Sequence, residues 1–138
     1  MSTTIETIKS DCAFLDDWED RYRYIIELGQ SLPPYPEDVR DDAHKVQGCV
    51  SQVWLDTQRG PGNDPVLTFQ GDSDAHIVRG LVAIMIALFS GRRASEIAKV
   101  EAEDTMRSLG LNEHLTPQRA NGLRSMVRRI KQEAERSH

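Results

Sequence analysis

Cysteine is scarce in this chain: two thiols, Cys12 and Cys49, stand among 138 residues. That excludes a disulfide framework and a zinc site of paired cysteines. Long apolar runs are missing as well. The longest, Leu81 to Phe89, is nine residues, about half of the roughly 18 that a membrane span requires, so it is expected to be buried core and no membrane association is expected. Positive charge does not dominate either: 17 Lys and Arg against 22 Asp and Glu leave a net charge of −5. No overall positive field is available to neutralise a phosphate backbone, which argues against nucleic acid as a partner. Residues Met1 to Glu6 have neither the basic start nor the apolar stretch of a secretory signal. A cytoplasmic location is therefore expected, and with it reduced, unpaired thiols. A P-loop, a Rossmann glycine fingerprint and a GxSxG elbow are also absent.

What is present reads as one α+β domain over residues 1–138, long enough for burial alone to stabilise a core. Thr3 or Thr4 can cap a short first helix carrying Ile5 and Ile8, ending before Asp16-Asp17. From Trp18 the apolar residues recur at Tyr22, Ile25 and Ile26, a helical spacing that Gly29 is placed to close in a left-handed conformation. Pro33, Pro34 and Pro36 predict an extended connector from Ser31 to Asp42. The period then changes to two, with strands at Lys45-Val46, Val50 to Gln58 and Val66 to Gln70, and a turn at Arg59 to Asp64. This predicts a small antiparallel sheet of about three strands packed against helices. Asp72-Ser73-Asp74 supplies N-cap oxygens for a central helix, followed by shorter pieces at Ser95 to Val100 and Ala102 to Leu109 and a stop at Gly110. The last helix begins with Thr116 as N-cap and Pro117 at N1, then Leu123, Met126, Val127 and Ile130 along one face.

Chemistry concentrates around Cys49, in His44-Lys45-Val46-Gln47-Gly48-Cys49-Val50-Ser51-Gln52-Val53-Trp54-Leu55. Gly48 permits a tight bend, and a cysteine in a turn is easier to reach than one locked in a helix. Read alone, such a cysteine is more often a small buried core residue. The run Val46-x-Gly48-Cys49-x-Ser51-Gln52-Val53-Trp54 resembles the signature of the SufE family, the sulfur-acceptor proteins of iron–sulfur cluster biogenesis. Three further stretches resemble that family in the same order. They are Tyr24 to Gly29, Gly71-Asp72-Ser73-Asp74 running into Ile77-Val78-x-Gly80-Leu81, and Leu115-Thr116-Pro117-x-Arg119-x-x-Gly122-Leu123.

The resemblance implies a SufE/IscU-like fold. It also implies that Cys49 accepts sulfane sulfur from a pyridoxal-phosphate-dependent cysteine desulfurase of the SufS or CsdA kind. Cys49 would hold that sulfur as a persulfide and deliver it to an iron–sulfur scaffold such as a SufBCD-like complex. The pyridoxal phosphate would reside on the partner, leaving this chain without a cofactor or metal of its own; a homodimer is left open. Around Cys49, Ser51 and Gln52 are candidates to donate hydrogen bonds to the sulfur. His44 lies on the opposite face of a regular strand unless the Gly48 bend intervenes. Arg119 sits at N3 of the last helix, against the macrodipole, so a tertiary partner such as Asp72 or Asp74 is expected. Arg124, Arg128 and Lys131 share one face of the same helix, either solvated or available for an acidic partner. Cys12 reads as packing or as a resolving thiol. Two other functions remain open. A stand-alone thiol peroxidase or hydrolase would need a resolving cysteine or a base beside Cys49. A metal or cluster scaffold would need about three thiolates or imidazoles converging on one point.

Overall fold

In the computed structural model, which describes residues 4–49 and 51–137, the longest apolar run forms most of a helix that almost everything else covers. The elements follow in the order α1 (Ile5–Phe14), α2 (Trp18–Gln30), β1 (Val53–Arg59), β2 (Val66–Ser73), α3 (His76–Phe89), β3 (Arg92–Arg93), α4 (Ala94–Lys99), α5 (Ala102–Ser108), α6 (Leu111–His114) and α7 (Pro117–Arg136). The fold is α+β, with a three-stranded antiparallel sheet in the order β1-β2-β3. Among the described residues, no helix is long and apolar enough to cross a membrane.

Helix α3 buries Ile77, Val78, Leu81, Val82, Ile84, Met85, Leu88 and Phe89, and so is apolar on more than one face, the buried core helix that was expected. Helix α2 crosses it at van der Waals distance between main chains. A β-carbon on Gly80 would lie 2.1 Å from the Ile25 carbonyl oxygen, and one on Gly29 would lie 2.6 Å from the Gly80 nitrogen. This corrects the reading of Gly29 as a left-handed helix stop. It lies inside α2, which ends at Gln30 with Ser31 as its right-handed C-cap, and its missing side chain serves the helix crossing.

Strand β2 alternates as predicted, with Leu67, Phe69, Gly71 and Ser73 inward. Strand β1 instead buries Val53, Trp54, Leu55 and Asp56 in succession, because Trp54 is covered on its own side by the Arg40 guanidinium, 4.7 Å from the ring centroid. The third strand is not where periodicity puts it. Lys45 forms only an isolated bridge with Trp54, while β3 is the two-residue pair Arg92–Arg93 beside Val66 and Leu67, too short to show a period. The expected strand position Val50 lies outside the described residues, as does the alternative cap Thr3.

The proline-rich connector includes a short 3-10 turn at Glu37–Val39. Thr4 caps α1 through the Thr7 amide, and Thr116 caps α7 through the Arg119 amide with Pro117 in the first turn. Asp72-Ser73-Asp74 does not cap α3 as expected. Its N-cap is Ala75, without a side-chain cap bond, because Asp72 and Ser73 complete β2 and Asp74 turns toward the loop before β1. The helix α6 was not expected; α4, α5 and the stop at Gly110 lie within a residue or so of their predicted places.

The helix crossing yields a test. Replacing Gly80 with alanine forces α2 and α3 apart and should lower unfolding stability by about 1–3 kcal/mol or more, measured by urea titration. A loss below about 0.5 kcal/mol would show that the two helices separate without cost.

Candidate functional site

Cys49 follows a turn at Gln47 and Gly48 that is tied down on both sides. Before it, the Val46 amide donates to the Val53 carbonyl and the Leu55 amide to the His44 carbonyl, each at 2.8 Å. Arg129 of α7 donates to the carbonyls of Lys45 at 3.2 Å and Ala43 at 2.8 Å. Arg129 is held in turn by Glu133, which also pairs with Arg59 of β1. After Cys49, Gln52 is clasped by Asp74. The Gln52 amide donates to Asp74 Oδ1 at 3.0 Å, the Asp74 amide donates to the Gln52 carbonyl at 3.2 Å, and Gln52 Nε2 reaches Asp74 Oδ2 at 3.4 Å.

Between these anchors Gly48 and Cys49 lie against α7. Gly48 has φ +90°, a left-handed region that disfavours any side chain. A β-carbon there would meet Ser125 Oγ at 2.6 Å. The half-buried Cys49 packs against the core, and its Sγ–H donates to the Gly122 carbonyl at 3.5 Å. Burial pushes the Cys49 thiol above the ordinary cysteine value, with no neighbouring charge among the causes. The resting group is therefore a neutral, protected thiol, a poor nucleophile until it is uncovered.

The structure separates several residues that the sequence groups together. His44 does not face Cys49: its Nδ1 lies 2.7 Å from Asp41 Oδ1 and its Nε2 3.6 Å from Asp56 Oδ1. Gln52 spends its donors on Asp74 and not on the sulfur; Ser51 is half-buried and, among the described residues, gives Sγ no hydrogen bond. The expected pairing of Arg119 with Asp72 or Asp74 is not present. Arg119 is exposed, while Asp72 is already neutralised by Arg40 at 2.8 Å and Arg79 at 2.9 Å. The basic face of α7 is partly satisfied within the chain, since Arg124 pairs with Glu103 at 2.7 Å and Lys131 donates to the Val100 carbonyl at 2.8 Å.

Both cysteines are free, and Cys12 is buried in α1, its thiol also raised by burial. Among the described residues, no group of three or more His, Cys, Asp or Glu is placed to hold a metal ion. Sequence reasoning missed the Gly122 carbonyl, Ser125 and Arg129 as parts of the site. A carbonyl has no letter in a sequence, and Ser125 and Arg129 carry no signal beyond their places on α7.

The model of the SufE family, described as an Fe–S metabolism associated domain, matches residues 6–134. The chain belongs to the SufE family. It is 63% identical over 134 residues to an uncharacterised SufE-like protein of Rhizobium meliloti, covering 96% of each chain. It is 56% identical over 133 residues to another from Rhizobium etli, covering 96% of this chain and 90% of that one. A solution structure of a hypothetical protein from Thermus thermophilus is similar in fold, with a TM-score of 0.71 at 20% identity, covering 96% of this chain and 91% of the other. Membership in the family ties the chain to iron–sulfur metabolism.

Two measurements probe the closed thiol. Because burial stabilises the neutral form, the alkylation rate of Cys49 by iodoacetamide in a Cys12→Ser background should keep rising with pH beyond the midpoint of a free thiol, about 8.5. A midpoint at or below that value would contradict the buried neutral thiol. Gly48→Ala should push the turn off Ser125 and speed alkylation at pH 7 by about tenfold, the effect of roughly 1.4 kcal/mol on the closed state. An unchanged rate would mean that the contact with α7 does not cover the sulfur.

Proposed function

We propose that this protein is a sulfur carrier. Cys49 accepts a sulfane sulfur from a pyridoxal-phosphate-dependent cysteine desulfurase, of the SufS or CsdA kind, carries it as a persulfide, and passes it to an iron–sulfur scaffold such as a SufBCD-like complex in the cytoplasm. The observation that carries this reading is the isolation of the Cys49 thiol. It sits on an anchored turn, protonated and shielded, with no base and no second thiol at hand among the described residues. A stand-alone peroxidase or hydrolase is the poorer reading, because His44 is engaged by Asp41 and Asp56 and Cys12 belongs to the core of α1.

The transfer is a thiol–persulfide exchange. In the encounter the partner draws the turn outward and takes the thiol proton. The Cys49 thiolate attacks the outer sulfur of the donor persulfide; a new S–S bond forms, the donor S–S bond breaks, and its electron pair leaves on the donor cysteine as a thiolate. The proton count is unchanged apart from the one taken from Cys49. Freeing the donor cysteine is what accelerates the desulfurase. The binding energy of the complex must exceed the closure energy of the turn, which makes the partner both the opener and the source of specificity. With the turn closed, small thiols in solution meet a shielded sulfur.

Incubation with L-cysteine and a desulfurase, followed by mass spectrometry of the Cys49 peptide, tests the proposal. A peptide heavier by one sulfur is expected, dependent on the desulfurase. Cys49→Ser should abolish both the added sulfur and desulfurase stimulation, and Cys12→Ser should retain most of each. If Cys12→Ser were as inactive as Cys49→Ser, a dithiol cycle would replace the single-thiol carrier.

A further inference from the structure

Among the described residues, one hydrogen bond joins the Cys49 side chain to the rest of the site, from Sγ–H to the Gly122 carbonyl at 3.5 Å. That bond requires the proton which sulfur transfer removes. We propose that Gly122 is a positioning residue for the carrier, its carbonyl holding the Cys49 turn shut only while the cysteine is unloaded, so that loading with sulfur itself releases the turn from α7.

The proposal rests on the carrier reading and deepens it. A peptide carbonyl only accepts hydrogen bonds, so the closed contact depends on hydrogen being on Sγ. In the transfer Cys49–S⁻ and R–S–SH become Cys49–S–SH and R–S⁻. Sγ then bears a second sulfur in place of hydrogen, and when the terminal SH ionises, the proton goes to solvent and two acceptors face each other across the former bond.

Space reinforces the chemistry. The Gly122 carbonyl oxygen stands 3.5 Å from Sγ, so a sulfur bonded to Sγ at about 2.05 Å and aimed along the former hydrogen bond would overlap it. The adjacent residue has no slack, since Gly48 is packed on Ser125. The loaded sulfur therefore points away from the Gly122 carbonyl, and the turn shifts with it. The two anchors, Arg129 on the carbonyls of Ala43 and Lys45 and Asp74 on Gln52, do not involve sulfur and stay in place. The movement is confined to the segment between them.

Relaxation-dispersion NMR on the amides of Gln47, Gly48 and Cys49, in the intact protein with Cys12→Ser, reads the open population directly. Relative to the Cys49 thiol, Cys49→Ala and the methyl methanethiosulfonate adduct of Cys49 should raise it about 2- to 10-fold, the range of a single hydrogen bond. Protein loaded with sulfur by a desulfurase should behave as the adduct does. Cys49→Ser keeps an O–H donor and should stay within about twofold of the thiol. The proposal is overturned if Cys49→Ala matches the thiol, if Cys49→Ser opens as far as Cys49→Ala, or if the adduct stays closed. Should the desulfurase leave Cys49 unmodified, the carrier reading fails. The serine, alanine and adduct comparisons would still decide whether the Gly122 carbonyl holds the turn.

Discussion

The need to cover α3 on several sides organises this protein. A helix with Ile77, Leu81, Ile84, Met85 and Phe89 all buried keeps little more than the half-buried stripe of Arg79, Ala83, Ile86 and Ala87 toward water, and each neighbouring element answers one part of that demand. Helix α2 closes one side through the Gly29 and Gly80 approach. Strand β2 closes another, with Gly71 admitting Val82 so closely that a β-carbon there would lie 2.6 Å from Val82 Cγ1. Helix α7 adds Leu123, Met126 and Ile130 to the same core. The functional segment is a by-product of this arrangement. It is the piece of chain that enters β1, on the sheet, while lying against α7.

Its position decides its electrostatic character. Charged groups secure both ends of the Cys49 segment, yet none is among the causes of the shift in its thiol. Arg129 uses its donors on main-chain carbonyls and Glu133. Asp74 uses its carboxylate on Gln52, and Asp72 is engaged by two arginines. Burial alone shifts the thiol, so protonation is favoured and reactivity is low. The proposed carrier role would use this combination: firm anchors that keep the cysteine presented at one place, and a weak closure between them that a partner could undo. A catalytic thiol of a stand-alone enzyme would need the opposite, a cation or base fixed beside the sulfur.

Much of this was legible in the sequence where the signal is local. The caps at Thr4 and Thr116, the stop at Gly110, the alternation of β2 and the apolar wealth of α3 depend on neighbours within a few residues, and they appear where they were expected. The errors share a cause. Gly29 resembled a helix stop because glycine commonly ends helices, but its role is set by a helix far along the chain. Asp72 and Asp74 resembled caps because acidic residues precede an apolar run, yet Arg40, Arg79 and Gln52 claim them. Arg119 invited a partner that others had already taken.

The sequence by itself determined the family, the class of fold and the one cysteine set after a glycine bend. Each of these is written in residue identity and short-range order. Only the tertiary structure decided how that cysteine is held. Its hydrogen bond goes to the carbonyl of Gly122, 73 residues away, the preceding Gly48 is seated on Ser125, and its anchors come from α7 and from the residue after β2. Main-chain acceptors carry no side-chain signature, and contacts between distant segments obey packing and not spacing. The shielding of the thiol therefore exists only in the folded chain.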